Sequence, residues 1–194
     1  MTMKINEIFY SIQGEGFHTG TPAVFVRFSG CNLKCPFCDT NHQDGEEYSI
    51  DEIIDKIQSY ACKFIVITGG EPSLQLTEAF VDRLHQLGYY IAVETNGTKE
   101  LPKVDWITCS PKGDWVKQGS EVVKRHYNEV KVVNDGCNDV NQWLSISADH
   151  YFLQPCDTGN KEKNLAIIHD TIAKCLANPL WRISLQTHKI LNVR

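Results

Sequence analysis

Three cysteines, Cys31, Cys35 and Cys38, fall within eight residues at the spacing C-x3-C-x2-C, in the stretch Ser29-Gly30-Cys31-Asn32-Leu33-Lys34-Cys35-Pro36-Phe37-Cys38-Asp39-Thr40. Cysteine thiolates are the usual ligands of iron–sulfur clusters. A four-iron cluster held by only three of them keeps one iron open, the condition that separates a reactive metal site from a closed structural one. The same triplet would hold structural zinc if a fourth ligand such as His18, His42 or another cysteine joined it. Taken alone, the spacing leaves both chemistries open.

The chain around this loop has 194 residues, with 24 acidic against 19 basic side chains and a net charge of −5. Coating nucleic acid calls for an excess of Lys and Arg, so no nucleic-acid partner is expected. No run approaches the roughly 18 consecutive apolar residues of a membrane span. The opening Met1-Thr2-Met3-Lys4-Ile5-Asn6-Glu7 lacks the apolar core of a secretory signal. A cytoplasmic protein is therefore expected. Eight cysteines would suit a disulfide framework in a small secreted chain, but the length and the crowding of three of them point to metal or redox chemistry. The other five, Cys62, Cys109, Cys137, Cys156 and Cys175, read as small buried hydrophobes. A single domain over 1–194 is the simplest organisation, long enough to bury roughly 70% of the unfolded surface.

A series of strands must position the loop. Residues 4–10 and 22–28 read as strands; the second, Pro22-Ala23-Val24-Phe25-Val26-Arg27-Phe28, is apolar on both faces, as in a parallel sheet covered on both sides. Between them, the glycines of Ser11-Ile12-Gln13-Gly14-Glu15-Gly16 permit a tight turn or close ligand approach. Ser49-Ile50-Asp51-Glu52 is a capping box, and Ile50, Ile53, Ile54 and Ile57 share one helical face. A buried strand, Phe64-Ile65-Val66-Ile67-Thr68, runs into Gly69-Gly70-Glu71-Pro72; Leu76, Phe80, Leu84 and Leu87 then stripe a helix closed by Gly88. Further strands are expected at 89–94, 105–109, about 129–133 and 150–154, with a short helix capped by Asn138 or Asp139. A helix over 162–177 is striped by Leu165, Ile168, Ile172 and Leu176, and a last strand, 182–187, leads to His188. The alternation predicts an α/β fold with a mostly parallel sheet and right-handed crossovers. Six to eight strands in a chain shorter than the about 250 residues typical of eight βα units predict an incomplete, TIM-like (β/α) barrel.

Polar or glycine-rich clusters follow strand after strand: the cysteine loop, Gly69-Gly70-Glu71, Glu94-Thr95-Asn96-Gly97, Ser110-Pro111-Lys112, Gln154-Pro155 and Gln186-Thr187-His188. Gly and Asn after a strand are commonly turn residues, but in parallel α/β folds this edge is also where ligands bind. The C-x3-C-x2-C loop, with Phe37 directly before its last cysteine and Gly-Gly-Glu-Pro after the next strand, resembles the radical S-adenosylmethionine superfamily. The resemblance implies a [4Fe–4S] cluster on Cys31, Cys35 and Cys38, with S-adenosylmethionine chelating the open iron. It further implies that Phe37, Cys38 and Asp39 contact the cofactor, that Gly69-Gly70-Glu71 binds its amino group, and that Gly97, Ser110, Lys131 and Gln154 complete its site.

Within that superfamily the flanks are similar nearly end to end to the 7-carboxy-7-deazaguanine synthase family. The matching pieces are Phe9-Tyr10-Ser11-Ile12-Gln13-Gly14-Glu15-Gly16, Phe25 to Leu33, Cys38-Asp39-Thr40, Glu94 to Gly97, Ser110-Pro111-Lys112 and Arg182 to Lys189. This likeness implies a ring contraction of 6-carboxy-5,6,7,8-tetrahydropterin to 7-carboxy-7-deazaguanine, with loss of ammonia, in queuosine-type biosynthesis. In such enzymes a 5′-deoxyadenosyl radical takes hydrogen from the pterin C6, and product formation returns it. It also implies magnesium on Thr40, an oxygen ligand that suits a hard cation. The substrate contacts implied are Ile12, Gln13, Gly14, Glu15, Arg27, Thr95, His188 and Arg194. A reducing electron donor such as flavodoxin and a homodimeric state follow from the same likeness. Arg27 supports a small anionic substrate independently, because an arginine inside an apolar strand is costly unless it meets an anion; Glu94 or another core carboxylate is the plain alternative partner. Two rivals remain open: an activating enzyme that abstracts hydrogen from a glycine of a partner protein, and a non-catalytic zinc module.

Overall fold

The structure is a computed structural model that describes residues 2–38 and 40–194. Its strands are β1 (Thr2–Ile12), β2 (Pro22–Phe28), β3 (Glu46–Ser49), β4 (Phe64–Gly69), β5 (Tyr90–Thr95), β6 (Trp106–Cys109), β7 (Tyr127–Asn134), β8 (Ala148–Pro155) and β9 (Trp181–Ile183). The helices are α1 (Ile50–Gln58), α2 (Glu78–Gln86), α3 (Lys161–Ala177) and α4 (Thr187–Leu191), with short 3-10 turns at Pro72–Leu74 and Val140–Ser145. Among the described residues, these nine strands form one open sheet in the order β3-β1-β2-β4-β5-β6-β7-β8-β9. From β2 to β9 every neighbour pair is parallel, and only β1 pairs antiparallel, with β2 and β3. This is the expected mostly parallel, unclosed α/β architecture. No helix among the described residues is long and apolar enough to cross a membrane.

The period of two along each strand separates core from cavity. Val24, Val26 and Phe28 of β2, Ile65 and Ile67 of β4, and Ile91 and Val93 of β5 face α1 and α2, packing on Ile53, Ile57, Phe80 and Leu84. The alternate residues Phe25, Val66 and Ala92 face the other way, where they join Phe9 and Trp106. One step further along the same inner face stand Arg27, Thr68 and Glu94, in register with Thr68 opposite Arg27. The inner face thus turns from apolar to polar toward the C-terminal ends of the strands. Helix α1 begins as expected, with the Ser49 side chain accepting from Glu52 N and the Glu52 carboxylate accepting from Ser49 N at 2.7 Å.

Helix α3 departs from its sequence pattern. Leu165, Ile172 and Leu176 are exposed, whereas Ile167 and Thr171 are the buried positions. Hydrogen bonds decide its rotation: Asn134 at the end of β7 donates to Thr171 Oγ1 at 2.8 Å and to Asp170 at 2.7 Å, while Lys174 donates to Asn134 Oδ1 at 2.9 Å. Seating these polar groups on the sheet turns the leucine stripe outward. The last strand is also shorter than expected and stops at Ile183. After Ser184 N bonds Leu153 O at 2.8 Å, the chain leaves the sheet, and Thr187 opens α4 by donating to Gly14 O at 3.0 Å.

The rotation of α3 gives a direct expectation. Ile167→Ala lowers the urea unfolding free energy by about 2 kcal/mol or more, while Leu176→Ala stays within about 0.5 kcal/mol of the parent. The reverse order would return α3 to its leucine face.

Candidate active site

Cavity wall and cysteine loop. One cavity of about 460 Å³ opens over the inner face at the C-terminal strand ends. Cys31, Cys35 and Cys38 lie on its wall together with Phe37 and Thr40. The loop is rooted by Gly30, whose N–H donates to His42 O at 2.6 Å and whose carbonyl accepts from Glu71 N at 2.8 Å. That approach of β4 to β2 requires glycine: a Cβ on Gly70 would run into the Gly30 carbonyl, and one on Gly69 into Phe28. Leu33 N donates to Cys31 Sγ at 3.4 Å, and Cys38 N to Cys35 O at 3.2 Å, which curls the loop along the cavity wall. Burial pushes the Cys31 and Cys35 thiols up, so binding a metal must displace their protons. Phe37 meets Trp115 edge-on at 4.6 Å, and the ammonium of the half-buried Lys112 lies 5.6 Å from its ring centre. Burial holds the Lys112 pKa below its ordinary value, and the hydroxyl of Ser110 accepts from it at 2.6 Å.

Anionic and cationic walls. Across the cavity, Lys131 is buried among carboxylates. Its ammonium pairs with Glu15 at 2.5 Å and Glu94 at 3.3 Å, while Gln186 donates to Glu15 Oε1 and Gln13 to Glu94 Oε1, each at 2.9 Å. Burial opposes ionisation of Glu15, but the charge and hydrogen bond of Lys131, with Gln186, outweigh it and bring the carboxyl down to about 2. Burial likewise opposes the Lys131 charge, and Glu15, Glu94 and Glu129 overcome it, holding the lysine above its usual range. Glu129 sits behind this group; burial raises it to about 7, and its Oε1 has no hydrogen-bond partner among the described residues. At the far side Arg27 meets Glu7, not Glu94, through its Nε at 2.8 Å. Arg194 reaches the same Glu7 carboxylate, and Arg27 Nη1 stands 3.5 Å from Thr40 Oγ1.

The geometry gathers most of the expected residues. Ile12, Gln13, Gly14, Glu15, Arg27, Thr95, His188 and Arg194 line the cavity, as do Gly69, Gly70, Ser110, Lys131 and Gln154. Glu71 and Gly97 do not. Glu71 is fully buried beneath the wall, where Thr95 Oγ1, Asn96 N and Ser73 N donate to it at 2.6, 2.7 and 3.0 Å. Asp39 lies outside the described residues. Lys131 reaches the wall with its ammonium committed to Glu15 and Glu94, an arrangement that belongs to the polar floor. Sequence reasoning assigned no role to Glu7, Lys112 or Gln186; Lys112 and Gln186 were within reach, because each belongs to a strand-end cluster already singled out.

The model of the Radical SAM superfamily matches residues 25–112, the span from the middle of β2 through the cysteine loop to Lys112. The chain is 50% identical over 195 residues to a protein of Bacteroides thetaiotaomicron named 7-carboxy-7-deazaguanine synthase, covering all of both chains. The chain belongs to the 7-carboxy-7-deazaguanine synthase family. A protein of the same name from Haemophilus influenzae is 39% identical over 98% of this chain and 93% of its own. The crystal structure of QueE from Escherichia coli superposes with a TM-score of 0.75 at 28% identity, covering 95% of this chain and 94% of that one.

The donor set of this 7-carboxy-7-deazaguanine synthase family member fits a cluster. Among the described residues, no three His, Cys, Asp or Glu side chains are grouped closely enough to hold one metal ion. Three soft thiols ranged along a wall suit a cluster face, where each thiolate takes its own iron.

The buried Lys131 group carries two expectations. Lys131→Met leaves Glu15 and Glu94 without their cation and costs about 3–5 kcal/mol in urea unfolding. The Glu15 carboxyl at about 2 lies below its ordinary 4.5, so the folded state binds fewer protons across that interval. Its stabilisation is fully present above pH 4.5 and is lost as pH falls toward 2. Glu15→Gln should flatten the acid limb of a stability–pH curve; an unchanged limb contradicts the assignment.

Proposed function

We propose that this chain, as one radical SAM domain over 1–194, contracts 6-carboxy-5,6,7,8-tetrahydropterin to 7-carboxy-7-deazaguanine with release of ammonia, feeding 7-deazapurine (queuosine-type) synthesis. The observation that carries this reading is the meeting, on one small cavity, of the cysteine triplet with a cationic wall and an anionic wall. At about 460 Å³ the cavity falls in the range of small-molecule sites, roughly 300–1,000 Å³. The names of the full-length relatives favour the synthase over an activating enzyme.

When bound at Cys31, Cys35 and Cys38, the cluster and S-adenosylmethionine supply the radical that starts the reaction. The residues of the chain position and shield. Arg27 and Arg194 offer guanidinium edges to the substrate carboxylate. Glu15, kept ionised by Lys131, retains lone pairs for the amino and ring N–H groups of a pterin, because a carboxylate has about four acceptor positions. Thr95 and His188 complete the substrate wall. Gly69 and Gly70 present bare backbone to the cofactor's amino group, Phe37 presents its ring to the adenine, and Ser110 and Gln154 present polar atoms to its remainder. Helix α4, tied to Gly14 O by the backbone and hydroxyl of Thr187 at 3.0 Å each, closes one side against water.

Thr40 Oγ1 is the proposed magnesium ligand. Its 3.5 Å separation from Arg27 Nη1 is at the outer limit of a hydrogen bond, which leaves hydroxyl lone pairs for a hard cation. A substrate carboxylate between the two would offset both positive charges. The exposed Leu165, Ile172 and Leu176 of α3 support a homodimer, since such stripes mark association surfaces. The free thiols of Cys62, Cys109 and Cys175 accord with a reducing setting; the cytoplasmic location and a reducing donor such as flavodoxin belong to this reading through the family likeness.

The anaerobically reconstituted protein, given reductant, S-adenosylmethionine, magnesium and the carboxylated pterin, should bind iron through its thiolates and form the deazaguanine acid. Formation of 5′-deoxyadenosine alone would refute the substrate assignment, and zinc without iron would refute the cluster. Thr40→Ala should lose most turnover with its iron content intact; unchanged magnesium dependence removes Thr40 as the ligand.

A further inference from the structure

Strand β1 carries an irregularity that places one carboxylate. Its register with β2 runs Ile5 opposite Phe28 and then Glu7 opposite Arg27, so Asn6 is an extra residue, a β-bulge. Before it, Met3 and Ile5 point into the core under the helices; after it, Ile8 does, and Phe9 joins the inner face. The inserted residue therefore exchanges the faces of everything beyond it. Without it, Glu7 would stay on the parity of Met3 and Ile5, facing the hydrophobic core. With it, Glu7 reaches the cavity.

There the two oxygens of Glu7 hold two different guanidiniums. Oε1 accepts from Arg27 Nε at 2.8 Å, and Oε2 accepts from Arg194 Nη2. Arg194 lies over the Phe9 ring, with its main-chain oxygen accepting from the Ser11 hydroxyl at 2.5 Å. Two like charges held this close repel unless an anion sits between them. Glu7 takes Arg27 through Nε, and Nη1 stands 3.5 Å from Thr40 Oγ1 on the cavity wall. The bulged residue itself ties down the next loop: Asn6 Nδ2 donates to Asn41 O at 3.0 Å and Asp44 O at 3.1 Å, just beyond Thr40.

We propose that Glu7, carried to the cavity by the bulge at Asn6, is a positioning residue that holds Arg27 and Arg194 side by side for the substrate carboxylate and so sets selectivity for a carboxylated pterin. This rests on the proposed function.

Competitive inhibition of the reconstituted enzyme by 6-carboxypterin and by unsubstituted pterin tests it. The parent should favour the carboxylated compound. Glu7→Ala should raise the 6-carboxypterin inhibition constant about ten- to hundredfold, the worth of a charged hydrogen bond, and leave that of pterin unchanged. Glu7→Gln, which keeps volume and an acceptor for Arg27 Nε, guards against a folding defect and should show a smaller rise in the same direction. Iron content should match the parent in both. Equal weakening of both compounds means a merely structural role and overturns the proposal. Tighter binding of 6-carboxypterin would make Glu7 a competitor of the substrate and overturns it too. A parent that makes the deazaguanine acid but shows no carboxylate preference overturns this inference alone. A parent that makes none refutes the functional reading, and the inference with it.

Discussion

Glu71 has no exposed surface, and the cavity depends on it more than on any residue that a ligand could touch. Its carboxylate gathers Ser73 N, Thr95 Oγ1 and Asn96 N, while its own N–H reaches Gly30 O. Four segments are thereby fixed to one another: the root of the cysteine loop, the end of β4, the turn after it and the end of β5. A buried carboxyl is tolerable only when its oxygens are hydrogen-bonded, and here three donors reach them. Gly69 and Gly70 are the steric condition for this arrangement, since side chains there would collide with the backbone of β2 and its loop. In this chain the Gly-Gly-Glu segment divides its labour. The glycines face the cavity, and the glutamate sets the spacing of the walls from beneath.

Around that fixed frame the cavity separates charge by sign. Arg27 and Arg194 face Glu7 on one side, and Lys131 faces Glu15 and Glu94 on the other. Each set is nearly self-neutralising, which lets charged groups remain ionised in a partly buried space without a ligand. A molecule that is anionic at one end and rich in N–H groups at the other can replace part of each set's solvation at once. Glu129, pushed up to about 7 by burial, lies one step behind the second set and adds a carboxyl that is largely protonated below neutrality, where a third full negative charge beside Lys131 would be costly.

Sequence and structure agree where the signal is local and diverge where it is not. The alternation in β2, β4 and β5, the capping box at Ser49 and the three-cysteine spacing each involve residues within a few positions, so backbone sterics and side-chain period suffice to place them. The leucine stripe of α3 is equally local, yet it lost: the pairing of Asn134 with Thr171 comes from residues 37 apart and rotates the helix against its hydrophobic pattern. Gln186 reaches Glu15 across 171 positions, and that demand draws the chain out of the sheet before the last expected strand is complete.

By itself, then, the sequence determined the strand-and-helix succession, the inner and outer faces of the central strands, and a three-cysteine loop beside Arg27 and Thr40. Only the tertiary structure decided which charges meet. It joined Lys131 to Glu15, Glu7 to two arginines and Glu71 to the end of β5. The physical reason is that an ionised group in a buried place must find its partner wherever the chain brings one within about 3 Å, and sequence distance carries no information about that search. The bulge at Asn6 stands between the two cases. The uneven spacing Met3, Ile5, Ile8 is written in the sequence, but its meaning appears only when Arg27 and Arg194 stand opposite the residue it turns inward.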